Sequence, residues 1–109
     1  MQIFYDAPAS VLSAMLTGEI DHQSAGALRS EIDAAIYAHT PKTLILDFSG
    51  VHFMDSSGIG LIMGRYKILQ PLGGEIILQN PAPHISRVLR LAGMERLASI
   101  RSVRKEAVS

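Results

Sequence analysis

The fold is decided where a strand-like run gives way to a helix-like run, at Phe53-Met54-Asp55-Ser56-Ser57-Gly58-Ile59-Gly60. Before this stretch, residues 43–48 are almost continuously apolar, which is typical of a strand covered on both faces. After it, apolar residues recur at helical spacing as far as Leu69. Asp55, Ser56 and Ser57 therefore fall at the cap and first turn of a helix, where backbone N–H groups lack partners inside the helix.

Two interpretations of these polar residues remain open. In the first, Asp55 or Ser56 simply caps the helix, which is a common role for such side chains. In the second, a hydroxyl receives a phosphate, because the helix dipole and free amide groups favour an anion at a helix N-terminus.

The pattern along the chain predicts a single α/β domain covering residues 1–109, a small mixed β-sheet packed with about four helices. The first two strands are expected to pair antiparallel, and the later alternation implies parallel strands joined by right-handed crossovers. Gly18 is expected to end the second strand, and residues 49–52 to form a short link. The predicted strands are 2–5, 11–17, 43–48 and 75–79, and the predicted helices are 24–38, 57–69 and 83–92.

The composition excludes several classes of function. Ten basic and ten acidic residues cancel and form no basic stripe, so direct nucleic-acid binding is disfavoured. The absence of cysteine excludes disulfides, thiolate zinc sites and a catalytic thiol. No apolar run approaches the ~20 residues of a membrane span, and the first residues lack the basic start of a signal peptide, so we expect a cytoplasmic protein.

The remaining polar residues give no sign of a metal or catalytic centre. His39, His52 and His84 show no ligand spacing, so we expect surface histidines and no metal. Ser57 is outside a Gly-x-Ser-x-Gly elbow, and no histidine is placed to act as its base, which disfavours a hydrolase.

Three further charged residues have ordinary structural interpretations. Asp47 is interpreted as a polar terminator of the central strand. Arg65 and Lys67 are expected to lie on a solvated helix face, although contact with a partner is the alternative.

Three glycines in the central helix, Gly58, Gly60 and Gly64, each cost about 1 kcal/mol relative to alanine. Either the helix packs closely on the sheet, or it offers a smooth surface on which another protein lies. A dinucleotide loop is disfavoured, because the spacing differs from the fingerprint and the preceding strand is not the first. The apolar run is too short for membrane helix pairing.

Residues 54–67 closely resemble the signature of anti-sigma factor antagonists in the STAS family, and most closely its sporulation antagonists. Two further segments agree with this family, residues 16–22 and residues 73–77, and the resemblance runs from about Val11 to about Leu97. The resemblance implies a STAS-like domain in which the second serine of Asp-Ser-Ser-Gly is phosphorylated. In this chain that serine is Ser57.

The function implied by the resemblance is partner switching. The unphosphorylated protein binds an anti-sigma factor, which is also an ATP-dependent serine kinase, and so releases a sigma factor. Phosphorylation of Ser57 by that kinase switches binding off, and a serine phosphatase restores it. The residues expected to contact the partner are Asp21, Asp55, Ser56, Ser57, Gly58, Ile59, Gly60 and Met63.

Asp21 also has two interpretations. It is placed to cap the first helix, whereas the resemblance implies an acid beside the phosphorylated serine. The alternative function for the whole chain is a STAS-type scaffold or lipid-transport regulatory subunit without an obligatory phosphoswitch. An enzyme with Ser57 as nucleophile is a third class.

We otherwise expect no enzymatic activity, no catalytic residue and no cofactor, in a monomer. The chain departs from the sporulation antagonists after Leu97, because residues 98–109 are shorter than their usual final strand and helix.

Overall fold

A computed structural model describes residues 1–103 and confirms the α/β class with a small mixed sheet. The strands are β1 (Gln2–Asp6), β2 (Val11–Ile20), β3 (Thr43–Met54), β4 (Glu75–Gln79) and β5 (Ser99–Arg101). The helices are α1 (Ala25–His39), α2 (Ser56–Leu69) and α3 (Pro83–Leu91). The described residues thus hold three α-helices rather than about four, together with short 3₁₀ turns at Gln70–Leu72 and Met94–Arg96.

The sheet order is β1-β2-β3-β4-β5, with β1 antiparallel to β2 and the other pairs parallel, as expected. From β2 to β5, each connection leads to the adjacent strand on the same side. Because such connections are right-handed, α1, α2 and α3 all lie on one face of the sheet. Their buried residues join those of the sheet in a single core. The expectation that the central strand is covered on both faces was wrong, because Leu44 and Leu46 are fully buried whereas Ile45 is partly exposed.

The predicted ends of β2 and β3 were also wrong, because both strands continue past the expected breaks. The residues taken for a link belong to β3, and Ile20 of β2 pairs with Met54 at its end. Gly18 has a φ of +79° at a register shift, so it bends β2 without ending it. A Cβ on Gly50 would lie 2.9 Å from the Leu16 carbonyl oxygen, so only glycine fits this close approach of the strands.

The predicted helix ends agree with the structure to within one residue. Thr40 adopts the left-handed conformation, and its amide donates a hydrogen bond to the Ile36 carbonyl. α1 therefore ends before Pro41. Pro83 opens α3 and Gly93 follows it at a φ of +75°, as expected of a start and a stop signal.

Asp47 is buried inside β3, so its interpretation as a strand terminator was wrong. Its carboxylate accepts hydrogen bonds from the Ser49 hydroxyl (2.6 Å) and the Gln79 side-chain amide (2.7 Å). The Ser49 backbone amide and the Asn80 side chain add two more, at 2.8 and 3.4 Å. Burial disfavours the charged form, but these hydrogen bonds outweigh it and lower the pKa of Asp47.

The chain after Leu97 supplies a final strand, β5, which corrects part of the expectation of a missing strand and helix. The amide of Asn80 donates to the Arg101 carbonyl (2.8 Å), and the Arg101 guanidinium donates to the Gln79 side chain. The expected absence of a final helix concerns residues 104–109, which lie outside the described residues.

Candidate functional site

The start of α2 is built on Asp55. Its side chain accepts a hydrogen bond from the Ser57 amide at 2.7 Å, and its own amide donates to the Ile20 carbonyl at the end of β2 (3.1 Å). Asp55 is therefore the N-cap, as one of the two interpretations predicted. Ser57 is held at the second helical position, next to the end of the central strands.

Two of the amide groups around Ser57 are engaged, so the expectation of free amides was wrong for these two. The Ser57 amide donates to the Asp55 side chain, and the Gly58 amide donates to the Asp55 carbonyl at 3.0 Å. Neither of these amides is free to bind an anion on Ser57. Among residues 1–103, nothing hydrogen-bonds the Ser57 hydroxyl, and this side chain is half-buried.

Asp21 caps the turn that precedes α1 rather than α1 itself. Its carboxylate accepts the amides of Gln23 and Ser24, both at 2.9 Å, and the Ser24 hydroxyl accepts the Asp21 amide in return (3.0 Å). The hydrogen bond from the Ser24 backbone is the main cause of its lowered pKa. This local role accounts for the carboxylate, and contact with a partner stays a prediction.

The two accounts of the glycines apply to different positions. A Cβ on Gly58 would overlap the Met54 side chain and lie 3.4 Å from Ile20, so close packing explains that buried glycine. Gly60 and Gly64 have nothing within 4 Å of such a Cβ. Packing therefore does not require glycine at either position, and the helix surface there is open.

Of the residues expected to contact a partner, Ser56, Gly60 and Met63 are exposed and share one side of α2. They are spaced by four and three residues, which places them along one side of a helix. We call this set the α2 stripe. Met63 is 40% exposed, so a large apolar side chain borders the open surface at Gly60, whereas Phe53, also exposed (48%), lies at the end of β3. Ile59 is half-buried and packs against the core.

A cleft of about 390 Å³ lies between α1 and α2, beside the α2 stripe. Its walls are formed by Ser57 and Gly60, by residues at the start of α1, and by Leu61 and Arg65 further along α2. Small side chains keep it open at both helices. The lining residues are His22, Ala25, Gly26, Arg29, Ser57, Gly60, Leu61 and Arg65.

Arg65 is buried in this cleft, so the expectation of a solvated helix face was wrong for this residue. Its Nε lies 2.7 Å from the Asp33 carboxylate of α1. The two atoms form an ion pair without hydrogen-bond geometry, and the guanidinium donates instead to the Leu61 carbonyl, at 3.4 Å. Burial lowers the pKa of Arg65, Asp33 opposes that shift, and Arg29 adds to it. Lys67 is exposed, as expected.

Sequence reasoning missed Arg29 and the cleft itself. The available signal was the spacing of Ser57, Leu61 and Arg65, which four-residue steps place on one face of α2. Arg29 carries no signal of its own, since a lone arginine on an amphipathic helix is ordinary.

The described residues hold neither a cluster of three metal-ligand side chains nor a helix that could span a membrane. Within residues 1–103, no three histidine, aspartate or glutamate side chains are grouped to hold a metal ion. In the same part of the chain, no helix is long and apolar enough to cross a membrane. His39 stacks on Tyr5, with ring centroids 4.1 Å apart, and His84 contacts the His52 carbonyl.

The fold and the serine-bearing helix start define a class of small α/β domains with a polar loop-to-helix junction beside an open helix surface. The chain belongs to the STAS family, because the STAS domain signature matches residues 6–107. This confirms the resemblance noted in the sequence.

Three known proteins illustrate the likeness. The anti-sigma F factor antagonist of Lysinibacillus sphaericus is 42% identical over 79 residues, which cover 72% of this chain and 68% of that protein. The solved structure of the anti-sigma factor antagonist SpoIIAA in its unphosphorylated form is 31% identical, with a TM-score of 0.81 over 96% of this chain and 89% of that one. The phosphorylated form of the Bacillus cell fate determinant SpoIIAA matches at the same identity, with a TM-score of 0.73 over 96% of this chain and 92% of that one.

Proposed function

We propose that the chain is an anti-sigma factor antagonist that works by partner switching. The unphosphorylated form binds an anti-sigma factor and so releases a sigma factor, and phosphorylation of Ser57 ends that binding. The observation that carries the proposal is a half-buried serine in the first turn of α2, beside the open α2 stripe, whose hydroxyl has no hydrogen-bond partner in the described part of the chain. Membership of the STAS family and similarity to named antagonists support it.

The α2 stripe suits a protein partner more than a small substrate. Its surface has no side chain at Gly60 and is apolar at Met63, and methionine is enriched in protein interfaces. The proposed role is binding alone, with no reaction catalysed by this chain. A sigma factor acts in the cytoplasm, so the proposal places the chain there.

Phosphorylation opposes such an interface through charge. A phosphoserine brings roughly −1.5 to −2 charges at neutral pH. Burying that charge against an apolar partner surface without a matching cation costs several kcal/mol. A loss of about 3 kcal/mol weakens binding about 100-fold. The kinase that adds the phosphate is proposed to be the anti-sigma factor itself, and a serine phosphatase removes it.

The test combines a pull-down from the native host with intact-mass measurement. We expect the unphosphorylated chain to capture an anti-sigma factor. We also expect incubation with that partner and ATP to place a phosphate on Ser57. Equal affinity of the phosphorylated and unphosphorylated forms would contradict the switch. Recovery of membrane-transport subunits, with Ser57 unmodified, would instead support a transport scaffold.

A further inference from the structure

We propose that a phosphate on Ser57 is bound within the chain itself, by the Arg29 guanidinium across the cleft between α1 and α2, with Arg65 beneath it. This inference rests on the proposed phosphorylation of Ser57 and identifies the side chains that bind the phosphate.

The helix packing brings Arg29 toward Ser57. Both helices follow one parallel strand and precede the next on the same sheet face, so they run in the same direction. The Asp33–Arg65 ion pair aligns their middle turns. One turn before Asp33 and Arg65, toward the N-termini, Arg29 of α1 is level with Leu61 of α2. One further turn toward the N-termini, the first residues of α1 are level with Ser57. Arg29 and Ser57 both line the cleft.

The direction of the side chains shortens this distance further. Side chains on a helix tilt toward its N-terminus. Arg65 does so, because its Nη1 donates to the carbonyl of Leu61, one turn closer to Ser57. Arg29 is exposed on a helix with the same direction and lines the cleft, so we expect a similar tilt to direct its guanidinium toward Ser57. Along the helix axes, Arg29 and Ser57 are offset by about one turn, roughly 5.4 Å, and an arginine side chain tilted toward the N-terminus covers this offset.

The charges around Ser57 favour the cleft over the other side of the serine. The Asp55 carboxylate already occupies the Ser57 amide and repels a second anion. In the cleft, Arg65 is paired with Asp33, whereas Arg29 makes no salt bridge among residues 1–103. The remaining titratable side chain that lines the cleft is the exposed His22.

The floor of the cleft has hydrogen-bond donors that are not engaged. Arg65 is 4% exposed; its Nε faces the Asp33 carboxylate at 2.7 Å and its Nη1 donates to the Leu61 carbonyl. A guanidinium has five N–H donors, and the two on Nη2 have no hydrogen-bond partner within residues 1–103. Gly26 and Gly60 have open space where a Cβ would stand, so neither residue fills the cleft beside Ser57.

The test measures the second pKa of the phosphate by ³¹P NMR. Phosphoserine is incorporated at position 57 during translation in the otherwise unchanged chain, in Arg29→Gln and in Arg29→Lys, at one fixed ionic strength. A nearby cation favours the dianion, so we expect the phosphate pKa to rise by about half a unit or more in Arg29→Gln. Arg29→Lys keeps the charge and is expected to stay closer to the unchanged chain.

The matched control is Arg87→Gln, which removes an exposed arginine from α3 without touching the cleft. It is expected to leave the phosphate pKa unchanged. Equal pKa values in Arg29→Gln and the unchanged chain, or an equal rise in Arg87→Gln, would overturn the inference. Translation installs the phosphoserine without any kinase, so failure of the proposed partner switch would show separately, as a lack of ATP-dependent labelling.

Discussion

The carboxylate of Asp55 accepts the amide hydrogen of Ser57 at 2.7 Å, so the residue that caps α2 also holds the backbone of the proposed phosphorylation site. The cap and the proposed modification therefore involve two different residues, two positions apart. The sequence presented these roles as alternatives, and the structure makes the cap at Asp55 compatible with a Ser57 hydroxyl that has no hydrogen-bond partner within residues 1–103.

The first prediction separates Ser57 from Ser56. Ser57→Ala should abolish phosphate incorporation by the cognate kinase yet keep binding, because it removes one hydroxyl. Ser56→Ala should still be phosphorylated, since Asp55 and not Ser56 is the cap. Phosphosite mass spectrometry with partner titration decides between them. Label on Ser56 would show that the assigned site is wrong.

The second prediction concerns Ser57→Asp, which should fold normally and bind the partner poorly. A carboxylate in the first helical turn stabilises by about 0.3–1 kcal/mol. Because Asp55 already lies beside it, we expect the low end of that range. Thermal unfolding and the same titration measure both effects. Binding as tight as that of the unchanged chain would rule out exclusion by charge.

The third prediction uses Gly60 and Gly58 as a matched pair. Gly60→Leu meets open space and gains helix propensity, so we expect stability to stay equal or rise by up to about 1 kcal/mol while partner binding weakens. Gly58→Leu overlaps Met54 and should destabilise by about 1–3 kcal/mol. Denaturant unfolding with partner titration checks the pair. A loss of about 2 kcal/mol in Gly60→Leu would place that glycine in the core.

The fourth prediction concerns pH and Asp47. Its pKa is below the usual 3.8 in the folded state, so its stabilising effect is present above that value and is lost as pH falls through the folded pKa. Asp47→Asn removes the charge and places a side-chain NH₂ group opposite the NH₂ donor of Gln79. We therefore expect the free energy of unfolding to fall by about 1–3 kcal/mol at pH 7. Urea unfolding between pH 2 and 7 should show this difference shrinking in acid; a constant difference would contradict the charged role.

The fifth prediction contrasts the two partners of the buried ion pair. Asp33→Asn leaves the buried Arg65 cation without its counter-charge and should cost about 2–3 kcal/mol. Arg65→Met should cost less, because the Asp33 side chain is 24% exposed and water can solvate it. Thermal unfolding compares the variants, and the reverse order would contradict this account.

The sequence predicted the order and type of the elements well, because hydrophobic periodicity and the capping residues act locally. Pro83, Gly93 and the Thr40-Pro41 pair ended or began helices where expected. The ends of β2 and β3 were mispredicted because glycines near breaks in a pattern resemble turns. Only the pairing of the two strands shows that Gly50 allows a close approach instead.

The candidate site was predicted in part. Local rules located Asp55 and Ser57 at the helix start, and the family resemblance selected Ser57. Burial of Asp47 and Arg65 depends on partners far along the chain, Gln79 and Asp33 respectively, so no local pattern revealed it. The expectation that purified protein is a monomer without metal stays a prediction, which light scattering and elemental analysis can decide.

The brevity of β5 affects how the sheet meets other molecules. An edge strand presents unpaired backbone groups that recruit strands from other chains, and a long flat edge invites aggregation. β5 has three residues and ends in the charged Arg101, whose side chain bonds Gln79 of the neighbouring strand. This edge is a poor template for strand addition. Association through the sheet is therefore disfavoured there, while the helical side of the domain remains available for a partner.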